Sequence, residues 1–207
     1  MLPILDKGSK VRYSRSLKKH INKLRPLKGG EWDFDDEEIS NIKKLIRVQL
    51  MKHQDAKCAY CGLAFDGTSR AEIEHIAPKG GKKRPKYTTF TFTPYNLVLS
   101  CHLCNSPVKK GSKDTVSIFD VDYKKCEFKI YHPYFDNPSD HFEWIADGYG
   151  VLIQHKTLKG SNSIKMFGLD DTAHIEARAK EVVYKLLKSR DRKESEDLIQ
   201  AALNFKG

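Results

Sequence analysis

Apolar residues recur along this chain with two different periods, and the alternation between them marks out its elements. Ile39, Ile42, Leu45, Ile46 and Leu50 keep the three-and-four spacing of one helix face. Asp35 or Asp36 stands at the N-cap position, and Glu37 and Glu38 complement the dipole of the first turn. The spacing therefore predicts a helix from that cap to about Gln54. Residues 71–76 alternate as a short strand that Pro78 and the Gly80-Gly81 pair bring to an end. On that strand Ile73 falls on the side of His75, with Glu74 opposite. Residues 88–93 are β-prone, residues 95–100 form a second apolar run, and a short helix with Pro107 in its first turn is expected after Cys104.

Beyond Asp114 the texture becomes aromatic and β-branched. Residues 116–121 and 128–131 predict strands, and residues 142–145 with 149–153 predict a hairpin across Asp147-Gly148. From Asp170 or Asp171 a helical stripe runs through Ile175, Ala179, Val182, Val183, Leu186 and Leu187. Leu198, Ile199, Ala202 and Leu203 resume it after a charged interval, and there is no internal repeat. The whole pattern is α+β.

Composition adds a direction. The 207 residues suffice for a sizeable core, and the formal charge of +10 with a pI near 9.3 points to a polyanionic partner. Residues 1–30 hold nine Lys or Arg against the single Asp6, whereas six acids lie between Glu31 and Glu38. Such a basic segment reads equally as a binding arm and as a solvated tail. A second cluster, Lys79, Lys82, Lys83, Arg84 and Lys86, surrounds the glycine pair, and a third comprises Lys109, Lys110 and Lys113. No stretch approaches the roughly 20 apolar residues of a membrane span, and the N-terminus turns basic without the apolar core of a secretory signal.

Cysteines change the picture most. Cys58 with Cys61, and Cys101 with Cys104, form two CxxC pairs, a spacing that suits a tetrahedral zinc cage; redox dithiols and buried packing thiols are the alternatives. Reduced thiols make the cytoplasm the expected compartment. Cys126 reads as a packing residue, His132 and His141 as hydrogen-bonding loop residues, and His102 as a surface side chain.

The ordered set Cys58-x-x-Cys61, Ile73-Glu74-His75-Ile76-Ala77-Pro78, Tyr95-Asn96-Leu97 and Cys101-x-x-Cys104-Asn105 resembles the HNH endonucleases of the treble-clef, ββα-metal type. The likeness covers roughly residues 55–113. It implies a nuclease core with a structural zinc held by Cys58, Cys61, Cys101 and Cys104, and a catalytic Mg2+ or Mn2+ held by Glu74 and Asn105. His75 is then the general base, Asn96 the brace that orients it, and the two inner basic clusters contact nucleic-acid phosphates. Glu74 stands where Asp is more usual, and Val108 stands where the family places a lysine, with Lys109 one residue later. Looser matches, among them His132-Pro133, Asn137-Pro138 and Trp144, are similar to the HNH nucleases of bacterial antiphage systems of the Septu and retron-associated kind.

That resemblance implies DNA as substrate, with RNA the alternative polymer, and an SMC-like ATPase as partner. The expected organisation is a basic arm at 1–34, the nuclease core with its leading helix at 35–114, and a β and helical scaffold or partner-docking region at 115–207. A zinc-stabilised nucleic-acid-binding or adaptor module without catalysis is the competing reading.

Overall fold

The computed structural model describes residues 2, 5–6, 8–65, 69–145 and 150–189, and its first helix, α1 (Arg15–Lys23), is capped by the Ser14 hydroxyl accepting from Leu17 N. The basic segment that contains it lies on the core, with Val11, Ile21, Leu27 and Trp32 buried. Helix α2 (Glu37–His53) begins where Asp36 accepts from Ile39 N at 2.7 Å. Ile39, Ile42, Ile46 and Leu50 are fully buried along its inner face. At roughly 2 kcal/mol for each such side chain, this stripe anchors the helix.

The remaining elements follow in order: β1 (Ala71–His75), β2 (Gly80–Gly81), β3 (Arg84–Pro85), β4 (Leu97–Cys101), α3 (His102–Asn105), β5 (Val116–Ile118) and β6 (Glu127–Phe128). Then come α4 (Pro138–His141), β7 (Phe142–Trp144), β8 (Ile153–His155), α5 (Leu158–Phe167) and α6 (Thr172–Ser189). Strands β1 and β4 pair antiparallel, with Ala71 opposite Cys101 and His75 opposite Leu97, and α2 lies across them. Gln54, just past the end of α2, acts as a stand-in strand edge. Its amide donates to Lys57 O and Leu99 O, both at 2.8 Å, and accepts from Leu99 N at 2.7 Å.

Several expectations are corrected. The β-prone run 88–93 is a 3-10 turn at Thr88–Phe90 followed by a hydrogen-bonded turn, because side chains rather than a neighbouring strand take the carbonyls of Phe90 and Thr91. Helix α3 starts inside the second cysteine pair and stops at Asn105; Ser106, held extended before Pro107, prevents its continuation. Only three residues of 116–121 form β5, and Phe128 alone of 128–131 joins β6, since Tyr131 N donates to Ser163 Oγ at 2.8 Å.

Strand β7 pairs with β8, Trp144 opposite Ile153, so the returning strand begins where the expected one ends. The Asp147-Gly148 turn lies outside the described residues, as do Leu198, Ile199, Ala202 and Leu203. Helix α5 is additional to the sequence reading. Thr157 caps it, accepting from Gly160 N at 3.2 Å, and Gly168 closes it at φ 61°. On α6 the buried positions are His174 and Arg178, while Ile175 and Ala179 are half-buried. Among the described residues no helix is long and apolar enough to cross a membrane.

Candidate active site and metal centre

Local backbone bonds build the first cysteine knuckle. Cys58 N donates to Leu63 O at 2.9 Å, Gly62 N to Cys58 O at 3.0 Å, and Gly62 takes φ 73°, which only glycine adopts freely. Ala59 N donates to Leu99 O at 3.0 Å and docks the knuckle on β4. Cys101 ends that strand, and Cys104 lies one turn into α3. The four Sγ atoms all fall within 4.8 Å of one another, buried, with no disulfide among them. Four thiol donors gathered at this spacing around one point fit a tetrahedral zinc. Cys126 lies apart, buried, with its thiol donating to Asp120 O at 3.3 Å.

At the other end of β1 lies a cavity of about 560 Å3, lined by Glu74, His75 and Asn105 together with Trp32, Lys79, Arg84 and Lys110. Alternation gives Glu74 and His75 opposite faces of the strand, but the cavity wraps round the strand's last two residues and takes in both. His75 Nε2 donates to Thr91 O at 3.0 Å, which fixes the proton on that nitrogen and leaves Nδ1 with the lone pair. Trp32 packs edge-on against the imidazole, with ring centroids 4.6 Å apart. Burial pushes the His75 pKa down to about 3, and Lys79 and Lys110 act in the same direction, so the ring is neutral at neutral pH.

Burial pushes the Glu74 carboxyl up, against the opposing pull of Lys110, whose ammonium is ion-paired with Glu74 Oε1. Lys110, expected among the cations that contact nucleic-acid phosphates, is instead buried against Glu74. Its side chain is 1% exposed, its Nζ also donates to His75 O at 3.0 Å, and a buried ammonium requires such partners. Asn105 Nδ2 donates to Glu72 Oε2 at 2.9 Å, so the amide oxygen is left for a ligand role. Glu72 also accepts from Arg70 Nε, and it lies 3.1 Å from the exposed His102 through Nδ1. Although burial raises the Glu72 carboxyl, these bonds, led by Asn105, bring it below its usual value.

Asn96 is fully buried behind the cavity. Its Oδ1 accepts from Ala77 N at 2.6 Å and from Tyr123 Oη at 3.0 Å; its Nδ2 donates to Ala77 O and Phe90 O, both at 3.0 Å. Tyr134 N donates to His132 Nδ1 at 3.2 Å, so His132 Nε2 carries the proton and donates to Tyr123 Oη at 3.0 Å. The chain of donors thus runs from residue 134 through His132 and Tyr123 to Asn96. Trp32, Glu72, Thr91 and Tyr123 have no part in the sequence reading. Nothing local in the sequence marks them, since each acts across a long chain separation.

Of the remaining cations, Lys79, Arg84 and Lys86 line the cavity and the others lie outside its lining. Lys82, Lys83 and Arg84 are exposed on the β2–β3 hairpin, where Gly80 at φ 68° passes too close to Arg84 O and Lys86 N for a Cβ. Lys79 pairs with Asp33 at 3.1 Å, Lys86 donates to Ser112 O at 2.7 Å and Lys113 to Val108 O at 3.0 Å. Lys109 is ion-paired with Asp171.

Two antiparallel strands, a short helix bearing Asn105 and a four-cysteine frame define a treble-clef ββα-metal core of the HNH kind. The chain is similar to the Septu protein PtuB of Bacillus mycoides, 29% identical over 160 residues that make up 71% of this chain and 52% of that protein. It is 26% identical over 162 residues, 75% of this chain and 71% of the relative, to a Vibrio cholerae retron Vc95 protein whose name carries the HNH endonuclease designation. To the CRISPR-associated endonuclease Cas9 of Corynebacterium diphtheriae it is 34% identical over 93 residues, 42% of this chain but 8% of that one. The chain spans about half the length of the Septu relatives, 52% of one and 42% of another. No family model and no solved structure matches it. In fold and in these likenesses the chain resembles the HNH proteins of the Septu and retron kind.

Proposed function

We propose that this chain is a divalent-metal-dependent HNH endonuclease that hydrolyses nucleic-acid phosphodiesters, with DNA as its substrate. The observation that supports it is the meeting of Glu74, His75 and Asn105 at one cavity, beside a histidine whose tautomer is fixed. Glu74 and Asn105 would hold Mg2+ or Mn2+, since a carboxylate and an amide oxygen are the hard donors such ions take. Bound there, the ion would supply Lewis-acid stabilisation of the phosphate and of the departing oxygen.

The chain's own residues do the rest. His75 Nδ1 takes a proton from water as its oxygen attacks phosphorus, and Thr91 O holds the opposite edge of the ring through Nε2–H. The P–O3′ bond breaks and the departing O3′ takes a proton from a solvent water, leaving a 5′-phosphate and a 3′-hydroxyl. Exposed Lys82, Lys83 and Arg84 track the phosphate backbone at the rim, with Lys86, Lys109 and Lys113 behind them.

The likeness to Septu and retron proteins supports a role as the effector nuclease of a bacterial antiphage system, acting in the cytoplasm with an SMC-like ATPase partner. Plasmid cleavage with Mg2+ or Mn2+, in the presence of that partner, tests the assignment. His75→Ala is expected to lose at least 100-fold in rate while keeping metal binding. Equal cutting by His75→Ala would refute the base; salt-sensitive DNA binding without turnover under any divalent ion would establish the non-catalytic adaptor reading instead.

A further inference from the structure

The cysteine cluster lies beneath α6, and the side chains that helix sends toward it are polar. His174 and Arg178, one turn apart, are 1% and 4% exposed. His174 Nε2 is 3.5 Å from Cys104 Sγ. Arg178 donates through Nη1 to Val151 O at 3.1 Å, and its guanidinium carbon lies 5.3 Å from the centroid of the Trp144 ring. Its Nε and Nη2 are buried without a hydrogen-bond partner. A guanidinium so placed costs several kcal/mol unless a negative charge faces it.

Nearby acids answer that need incompletely. Glu181 spends one oxygen on Ala64 N at 2.9 Å and the other on Lys185 at 3.7 Å, and Asp170 is the other carboxylate that bears on Arg178. A cleft of about 30 Å3 is lined by Cys61, Trp144, Arg178 and Glu181 together, which puts the guanidinium beside the cysteine frame. Four neutral thiols present no charge to that guanidinium. Four thiolates around a divalent ion carry two net negative charges.

We propose that α6 is the outer shell of the metal centre. Arg178 supplies the counter-charge to a metal tetrathiolate and His174 donates Nε2–H to Cys104 Sγ, so that docking of α6 and occupancy of the cysteine cluster reinforce each other. The inference rests on the zinc reading of the cluster. Linkage makes the coupling reciprocal: whatever holds α6 in place tightens the metal, and loss of the metal loosens α6.

Zinc release from the full chain to a chromophoric chelator tests this. Arg178→Met and His174→Ala are expected to release zinc at least tenfold faster than wild type, as removal of outer-shell partners of a metal site commonly does. Arg178→Lys keeps the charge without the planar fork and falls between. Lys180→Met, at a side chain 80% exposed on the same helix, keeps the wild-type rate. A folded Arg178→Met that releases zinc at the wild-type rate overturns the proposal. Should that variant not fold, hydrogen exchange on the wild-type chain decides. On chelation the amides of residues 172–189 are expected to lose protection ahead of those of α2, and equal loss in both helices, or none, overturns it. Metal analysis separates the premise: a wild-type chain without stoichiometric zinc removes the zinc reading and the proposal with it.

Discussion

Replacing Asn96 by Ala tests how the fold holds the cavity together. The substitution removes four hydrogen bonds at a position with no solvent access and leaves Ala77 N, Ala77 O, Phe90 O and Tyr123 Oη without their partner. Each orphaned buried group costs about 1–3 kcal/mol. The Tyr123 hydroxyl can rotate, and Phe90 O keeps its bond from Thr93 N at 3.0 Å, so the expected loss is about 3–5 kcal/mol rather than the full sum. Against a total stability of about 5–15 kcal/mol this is severe. Urea unfolding of the zinc-loaded chain measures it as a fall in midpoint at constant slope. Tyr123→Phe, which orphans only His132 Nε2–H and one lone pair of Asn96, is expected to lose about 1–2 kcal/mol. The double variant should lose less than the two together, because Asn96→Ala has already stripped the tyrosine of its acceptor. A loss below about 1 kcal/mol for Asn96→Ala, with the slope unchanged, would refute the brace. Because the amide ties residue 77 to residue 90, next to the carbonyl that holds His75, catalytic rate should fall with no change in the metal concentration for half-maximal activity.

Glu72→Ala removes the acceptor of Asn105 Nδ2 and frees the amide to turn over, so half-saturation by Mg2+ should rise about tenfold with little loss of rate at saturating metal; an unchanged metal titration would mean that Glu72 positions nothing. His132 is fully buried and its pKa is pushed down to about 3, chiefly by burial with Lys159 adding to it. The folded chain therefore binds fewer protons than the unfolded chain between pH 3 and 6.5, and stability present above that window falls as pH drops through it, by up to about 1.4 kcal/mol per unit. Urea midpoints for wild type and His132→Gln should converge as pH falls from 7 to 5, and parallel curves would count against the buried neutral imidazole.

What the sequence reveals is what local spacing can encode. The stripe and Asp36 cap of α2, the alternation of β1 and the two cysteine pairs are all short-range signals, and all appear in place. The run 88–93 illustrates the opposite case. Its threonines and phenylalanines favour a strand, but Asn96 and His75 claim its carbonyls, a tertiary choice that intrinsic preference does not register. Lys110 looks like one more surface cation because nothing near it in sequence announces Glu74, 36 residues earlier, as its partner. Helix α5 is hidden by Gly160, Ser161, Asn162 and Ser163, all poor helix formers, of which Gly160 is required because a Cβ there would collide with His141 O. On α6 an apolar stripe was the natural expectation, yet the most buried positions are a histidine and an arginine beside the cysteines.

The chain has two tryptophans, and their placement gives it a built-in pair of optical reporters. Trp32 stands edge-on to His75, and Trp144 lies under the guanidinium of Arg178 beside the cysteine frame. With Trp144→Phe the remaining indole follows events in the reaction cavity; with Trp32→Phe it follows the cysteine frame and α6. Emission from each single-tryptophan variant then distinguishes binding at the cavity from loosening at the frame, in the same solution and without an added label.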